Sequence, residues 1–359
     1  MSTNDDRLSR ARIAAGVIAN RAGVGLMPAI PDAAKRLMTR SVTIDGNRLD
    51  PTLQLALTAL KLSGESGLTA REDVAYSRQR LRQTALTIDR NPVPVGAVTE
   101  LSIPGPVGDI GARHYRPDND DTGALLVFFH GGGWVVGDLD THDNVCRMIC
   151  RDAGIQVLSV AYRLAPEHPA PAGLLDAYAA YRWALEHGGD LGARPGVVAV
   201  GGDSAGGNLA TVVARLGRDD GVPPALQLLL YPVTDLRGGT RSRALFATGF
   251  FLTAHDVDWC TQQYLGDSQL DVTDPRVSPL LADHLAGLSP ALVITAGFDP
   301  LRDEGEAYAD RMRDAGVTVD VRRMSSLIHG FCNFSPLGGG SELAMSAITS
   351  AMRAHLCYA

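Results

Sequence analysis

Residues 197–210 read Val197-Val198-Ala199-Val200-Gly201-Gly202-Asp203-Ser204-Ala205-Gly206-Gly207-Asn208-Leu209-Ala210. An apolar run stops at glycines, a serine follows, and an apolar segment rich in alanine and leucine resumes at helical spacing, which predicts a strand, a sharp turn and a helix. Gly202 to Gly206 fit the pattern G-x-S-x-G, in which a tight turn forces the serine into a strained conformation. The flanking chain passes too close for a Cβ, so Gly202 and Gly206 are required on steric grounds. Residues 202–206 are called the elbow below.

Two phosphate-binding patterns also begin with glycines, and neither fits. A dinucleotide fingerprint starting at Gly201 places Asp203 where a second glycine belongs, and its carboxylate repels a pyrophosphate. A P-loop needs a lysine after the loop, and none follows Gly206. On this stretch alone, an ordinary strand-to-helix turn with an idle serine stays open.

Composition excludes several classes of protein. The 359 residues are 45% hydrophobic and 20% charged, so the chain is able to bury a large core. A net charge of -7 without a basic run argues against a nucleic-acid partner. The first residues are acidic instead of basic, and the apolar stretch 13–19 is far below the roughly 18 residues of a membrane span. We expect a cytoplasmic protein without an integral membrane segment, and the sequence leaves peripheral membrane contact and a homodimer open.

The five cysteines do not form a recognisable framework. An odd number without a secretory signal predicts reduced thiols. Cys146 and Cys150 lie one helical turn apart, but no cysteine or histidine recurs at zinc spacing, so we expect neither a metal site nor a cofactor. Cys332 is expected to pack near the histidine discussed below without taking part in chemistry.

The first 94 residues are predicted to form a helical region. Asp50-Pro51 is a good helix opening, and Thr69-Ala-Arg-Glu72 resembles a capping box that starts a second helix. These helices need to bury an apolar face. A plain extension docked on the main domain stays an alternative, and we expect residues 1–94 to form part of a cap and acyl pocket together with the insertion described next.

Residues 95–359 are predicted to be one α/β catalytic domain. Continuous apolar strands alternate with helices, which predicts a mostly parallel sheet covered on both faces. Two short alternating runs before them predict antiparallel edge strands. An aromatic-rich insertion at about 237–285, with a helix capped at Thr253, interrupts the alternation. The predicted strands are 98–103, 109–115, 125–129, 155–161, 197–200, 225–231, 291–296 and 317–323, and the main helices are 172–186, 205–216 and 302–315.

A serine hydroxyl becomes a good nucleophile only when a neighbouring base takes its proton. His329 has the best context for this base because it follows the last predicted strand through a short loop. The acid that orients it should end a strand between Ser204 and His329, where Asp299 and Asp235 both qualify. We choose Asp299, and we expect its neighbours Asp303 and Glu304 to be first-turn or surface charges.

A glycine loop follows the strand at 125–129 and reads His130-Gly131-Gly132-Gly133-Trp134. Acyl transfer places negative charge on a carbonyl oxygen, which fixed backbone N–H groups stabilise. Consecutive glycines leave such amides uncovered. The predicted donors of this oxyanion hole are the amides of Gly131, Gly132 and Ala205.

Five motifs occur in order along the chain: His130-Gly-Gly-Gly-Trp134, Tyr162-Arg-Leu-Ala-Pro-Glu-His-Pro169, Gly202-Asp-Ser-Ala-Gly-Gly207, Asp299-Pro-Leu-Arg-Asp-Glu304 and His329-Gly-Phe331. Together they resemble the hormone-sensitive-lipase-like family of bacterial serine esterases over about residues 95–355. The resemblance implies an α/β-hydrolase fold with a helical cap and hydrolysis of carboxylic esters with short to medium acyl chains. It also implies that Ser204 is the nucleophile, His329 the general base and acid, and Asp299 its orienting acid. Glu167 is expected to brace the site.

The expected partner is therefore a small-molecule acyl ester. The same triad also serves amides, carbamates and lactones, and a ligand-binding protein derived from a hydrolase is a further alternative. The aromatic residues beside the predicted site are expected to line the acyl pocket. These pocket residues are Trp134, Phe250, Phe251 and Trp259.

Overall fold

The fold is described from a computed structural model that covers residues 25–62, 67–69, 72–89, 91–119 and 123–357. The apolar stretch 13–19 lies outside these residues. The main feature is an eight-stranded sheet in the order β10-β9-β8-β7-β5-β6-β4-β3. Its strands are β3 (Ala97–Pro104), β4 (Asp109–Arg116), β5 (Leu125–Phe129), β6 (Gln156–Val160), β7 (Val198–Asp203), β8 (Gln227–Leu230), β9 (Ala291–Phe298) and β10 (Val319–Ile328).

The pairing of these strands confirms the predicted mostly parallel sheet. Strands β10, β9, β8, β7, β5 and β6 pair in parallel, and β4 and β3 add an antiparallel edge. Every residue of β5, β6, β7, β8 and β9 is buried. Strands covered on both faces consist of unbroken apolar runs, which is why the sequence revealed them.

Helices cover both faces of the sheet. Along β5, Val127 and Phe129 belong to one hydrophobic cluster, and Leu126 and Phe128 belong to the other. Helices α5 and α6 pack in the first cluster, and α4 and α10 pack in the second. The helices are α1 (Asp32–Met38), α2 (Pro51–Leu62), α3 (Val74–Ile88), α4 (Asp143–Ala153), α5 (Ala172–Leu191), α6 (Ala205–Asp219), α7 (Arg241–Leu245), α8 (Ala254–Leu265), α9 (Arg302–Asp314) and α10 (Gly340–Cys357).

The N-terminal region contains α1, α2 and α3, together with a small hairpin of β1 (Thr43–Ile44) and β2 (Asn47–Arg48). The predicted helix opening at Asp50 is confirmed, because its Oδ1 accepts the amides of Thr52 and Leu53 at 2.9 and 3.0 Å. The capping box predicted at Thr69 is wrong. Helix α3 begins at Val74, and its N-cap is Asp73.

Thr69 has a different partner, far away in the sequence. Its hydroxyl and amide both donate to the Asp256 carboxylate, at 2.5 and 2.8 Å, and the Leu68 amide donates to the same group. The helix cap predicted at Thr253 is confirmed, and Asp256 completes a capping box there. The N-terminal region and the insertion are therefore joined at the start of α8.

The five cysteines are free thiols, and Cys357 alone among them is exposed. No helix within the described part of the chain is long and apolar enough to cross a membrane. The cytoplasmic location and the oligomeric state stay predictions.

Candidate active site

The elbow lies where β7 ends and α6 begins. Ser204 has φ 55° and ψ −118°, a strained conformation for a residue with a side chain. A Cβ built on Gly206 would lie 1.8 Å from the Phe129 carbonyl oxygen, and one on Gly202 would lie 2.3 Å from the same atom. Both glycines are required because β5 runs directly beside the turn.

Ser204, His329 and Asp299 form a continuous hydrogen-bonded chain. His329 Nε2 lies 2.9 Å from Ser204 Oγ, and His329 Nδ1 lies 2.9 Å from Asp299 Oδ2. The three residues are 6%, 3% and 0% exposed in the order Ser204, His329, Asp299, so the chain is shielded from water. A carboxylate at Nδ1 holds the proton there and leaves Nε2 to accept the serine proton.

Strand ends bring Asp299 and His329 together. Asp299 directly follows β9, His329 directly follows β10, and these two strands are parallel neighbours. The Leu301 amide donates to Asp299 Oδ1 at 2.8 Å and fixes the carboxylate. The alternative acid, Asp235, forms an ion pair with Arg237 at 2.7 Å instead.

The glycine loop is anchored by a contact that the sequence did not reveal. The Gly131 amide donates to Asp203 Oδ1 at 2.7 Å, so this predicted donor already has an acceptor inside the protein. Gly132 borders the cavity beside Ser204. Ala205 is the first residue of α6, where an amide has no carbonyl one turn earlier to bind.

Asp203 also belongs to a buried cluster with His142. His142 Nε2 lies 3.2 Å from Asp203 Oδ1, and both residues border the cavity. Burial works to raise the pKa of Asp203, but the charge and hydrogen bond of His142 and the Gly131 amide lower it below the ordinary value. Burial works to lower the pKa of His142, but the Asp203 carboxylate raises it. Nearby His130 has its pKa lowered to about 4, first by burial and then by His142. His142 and Asp203 therefore form a buried, hydrogen-bonded pair behind Ser204.

A cavity of about 50 Å³ lies beside Ser204. Of the four predicted pocket residues, Phe251 borders it, Trp134 and Trp259 lie in the core, and Phe250 is half-buried against the core. Trp134 stacks on Tyr264 with ring centres 4.2 Å apart, and Phe250 packs 5.3 Å from Phe298. The apolar character of these residues predicted that they are buried, but not whether each faces the cavity or the core.

The N-terminal region supplies cavity walls that the sequence analysis did not name. Leu81, Thr84, Ala85 and Ile88 of α3 border the cavity, together with Leu68. The four helical positions follow the spacing i, i+3, i+4, i+7, which is the signature of one helix face. The same spacing in the sequence could have indicated that these four residues share one face of the helix.

Helix α3 is fastened by Arg78, and Glu167 is its ionic partner. The Arg78 guanidinium donates to both Glu167 carboxylate oxygens at 2.8 and 2.7 Å, and to the carbonyls of Val135 and Ala165 at 2.7 and 2.9 Å. The hydrogen bond from Arg78 lowers the pKa of Glu167 to about 2. Glu167 is thus linked to the site through α3.

Two further residues near the site, Glu304 and Cys332, are buried. Glu304 lies in the first turn of α9, one of the two expected places, but it is 1% exposed and not at the surface, and its Oε1 accepts the Thr234 amide at 2.8 Å. Cys332 is fully buried, which raises the pKa of its thiol. It neighbours Tyr231, whose ring centre lies 4.8 Å from that of His329.

Comparison with known proteins gives a consistent family. Residues 126–333 match a family described by the alpha/beta hydrolase fold. The chain is 54% identical to the carboxylic ester hydrolase LipN of Mycobacterium tuberculosis, over 99% of this chain and 96% of that protein. It is 42% identical to the esterase LipI of the same organism, over 80% of this chain and 89% of that protein.

Solved structures agree with these relatives. The hyperthermophilic esterase of the archaeon Pyrobaculum calidifontis is 40% identical with a TM-score of 0.78, over 85% of this chain and 98% of that structure. An ester hydrolase from the Lake Arreo metagenome is 39% identical with a TM-score of 0.80, over 86% of this chain and 99% of that structure.

Proposed function

The chain belongs to the hormone-sensitive-lipase-like family of α/β hydrolases and is a carboxylesterase-type hydrolase, and from this premise we propose that Ser204, His329 and Asp299 are its catalytic triad. The observation that carries the proposal is the pair of 2.9 Å contacts that link the three side chains. The proposed substrates are esters of short to medium acyl chains.

The first half of the proposed reaction is acylation. Ser204 Oγ attacks the ester carbonyl carbon while His329 Nε2 takes the serine proton. The carbonyl π electrons move onto oxygen, and backbone amides stabilise the resulting oxyanion. When the tetrahedral intermediate collapses, the C–O bond to the alcohol breaks, and His329 returns the proton to the leaving alkoxide.

The second half is hydrolysis of the acyl-enzyme. His329 takes a proton from water, whose oxygen attacks the acyl carbon, and the carboxylic acid leaves as Ser204 Oγ regains the proton. Asp299 keeps the imidazole in the required tautomer throughout and stabilises its positive charge.

The Gly132 and Ala205 amides are the proposed oxyanion donors. Because the Gly131 amide is engaged by Asp203, we assign the third donor to Gly133, the next residue of the loop. Among the described residues, no acceptor binds the Gly133 amide. Gly131 then serves as the anchor of the loop.

The cap is proposed to consist of residues 1–94 together with the insertion at about 237–285. The contacts from Leu68 and Thr69 to Asp256 support this division, as do the cavity walls supplied by α3 and Phe251. The cavity of about 50 Å³ is roughly a third of the ~150 Å³ that accommodates benzene in an engineered protein. It favours the short end of the proposed acyl range.

Hydrolysis of p-nitrophenyl esters with two to twelve acyl carbons tests the proposal. We expect Ser204→Ala to lose on the order of 10³-fold or more in kcat because the nucleophile is missing. The matched control is Ser346→Ala, which changes an exposed serine of α10 and should retain activity. Hydrolysis by Ser204→Ala at the wild-type rate would overturn the triad. Anilides with the same acyl groups report on the amide alternative.

A further inference from the structure

Ile88, at the end of α3, lies between two spaces of very different size. On one side is the cavity of about 50 Å³ beside Ser204. On the other side is a groove of about 1020 Å³. Among the described residues, Ile88 alone borders both spaces. Its side chain therefore belongs to the wall between them.

The 3-10 helix Phe331–Leu337 forms the facing part of the same wall. Phe334 borders the cavity, and the next three residues, 335–337, border the groove. The Phe334 ring packs edge-on against Phe251 with centres 5.3 Å apart, which holds it in place. Ile88 is half-buried, so it is the more easily altered part of the wall.

The cavity suits the acyl group better than the alcohol. In the proposed mechanism the alcohol has to leave before water attacks, whereas the acyl group stays bonded to Ser204 through both steps. The apolar side chains of Leu68, Leu81 and Phe251 are also suited to a hydrocarbon chain.

We infer that Ile88 is a specificity-determining residue that limits the length of the acyl chain, with the groove as a latent extension of the acyl pocket. The inference rests on the proposed function and adds to it the residue at which the acyl pocket ends. Beyond Ile88 the groove is bordered by Val93, Met148 and Met345, whose apolar side chains a longer chain would contact, and also by polar and charged residues such as Asn144 and Arg151. Each methylene buried there is expected to raise kcat/KM about fourfold.

The test compares acyl-length profiles of single variants of the full chain. With Ile88→Ala, we expect the kcat/KM ratio of p-nitrophenyl octanoate to acetate to rise at least about tenfold over wild type, because the chain end enters the groove. Ile88→Val should give a smaller rise. Ile88→Phe should keep the ratio at or below the wild-type value.

Two matched variants separate opening of the wall from other effects. Leu81→Ala enlarges the cavity without bordering the groove, so it should favour butyrate but not octanoate. Leu86→Ala changes an apolar side chain of the same helix that is 46% exposed and does not border the cavity, so it should leave the profile unchanged. Thermal unfolding of each variant confirms that it is folded.

Three results would overturn the inference. These are an unchanged octanoate-to-acetate ratio in folded Ile88→Ala, the same profile in Ile88→Ala and Leu81→Ala, or a gain confined to acetate esters of longer alcohols. Failure of the proposed function has a separate signature, since hydrolysis would then persist in Ser204→Ala whatever residue stands at 88.

Discussion

At the scale of single residues, Asp203 connects the nucleophile's neighbourhood to the glycine loop. It precedes Ser204 in the elbow, yet its side chain is directed away from the triad toward Gly131 and His142. A buried carboxylate is tolerated only when charge and hydrogen bonds compensate it, and Asp203 has both. Its effect on catalysis therefore acts through the position of the loop.

Replacement of Asp203 should consequently lower turnover without touching the triad. We expect Asp203→Ala to reduce kcat at least about tenfold, because the Gly131 amide loses its acceptor and the neighbouring oxyanion donors shift. Asp203→Asn keeps an acceptor oxygen and should lose less. Steady-state kinetics with a short-chain ester measure both.

The matched control is Asp118→Asn, which changes an exposed aspartate. If Asp203→Ala and Asp203→Asn had the same kcat, the hydrogen bond to Gly131 would not be the operative contact. A change confined to KM would likewise speak against a role in positioning the loop.

At the scale of elements, Glu304 links the first turn of α9 to the chain that follows β8. Its Oε1 accepts the amides of Thr234 and Asp235 at 2.8 and 3.2 Å. Among the described residues, its Oε2 has no hydrogen-bond partner. Burial raises the pKa of Glu304 to about 8, and nearby Asp235 adds to this while Arg243 and the two amides oppose it. The carboxyl is therefore neutral in the folded protein at pH 7.

This raised pKa makes stability depend on pH in a predictable direction. Between its ordinary value of 4.5 and about 8, Glu304 keeps its proton in the folded state and loses it in the unfolded state. The folded state then binds more protons, so the free energy of unfolding falls as pH rises through this window. Glu304→Gln removes the effect, and its Tm relative to wild type should rise by about 5 °C between pH 5 and pH 8.

Thermal unfolding at several pH values checks this expectation. Glu342→Gln, an exposed position of α10, provides the control and should follow wild type at every pH. A constant difference in Tm between Glu304→Gln and wild type would show that the carboxyl does not titrate in this window.

Elements whose structure depends on neighbouring residues were predicted from the sequence, whereas contacts between distant elements were missed. Strands, the elbow and the helix opening at Asp50 depend on neighbours in sequence, and each leaves a periodic or capping signature. Thr69 and Glu72 have the residue types and spacing of a capping box, but the Thr69 hydroxyl donates its hydrogen bond to Asp256, 187 residues away. Glu304 is a first-turn acid, and its burial comes with its contacts to Thr234 and Asp235 in the chain after β8. Such contacts have no local pattern to reveal them.

At the scale of the whole molecule, the sheet order explains why the site was so readily predicted. Ser204, Asp299 and His329 each follow a strand of the same parallel sheet, and the carboxyl ends of such strands meet along one edge. The walls of the cavity beside Ser204 were predicted less well. They come from α3, from the insertion and from the 3-10 helix after His329, and their docking is a property of tertiary structure.

Cysteine accessibility gives a test of the fold as a whole. Cys146, Cys150, Cys260 and Cys332 are buried, and Cys357 is exposed. In a thiol titration with an aromatic disulfide, we expect one fast-reacting thiol in the native protein and five in denaturant. Cys357→Ser should remove the fast phase alone. Rapid reaction of two or more thiols in the native state would contradict the described packing.

The contact between Thr69 and Asp256 has a consequence for synthesis on the ribosome. It joins positions 187 residues apart, so α3 is made long before the segment that receives it. During that interval its apolar face lacks its final cover, and the growing chain has an exposed surface of the kind that chaperones bind. His329 is made later still, 125 residues after Ser204. If the proposed triad is correct, the nascent chain gains catalytic competence only after this residue has been added.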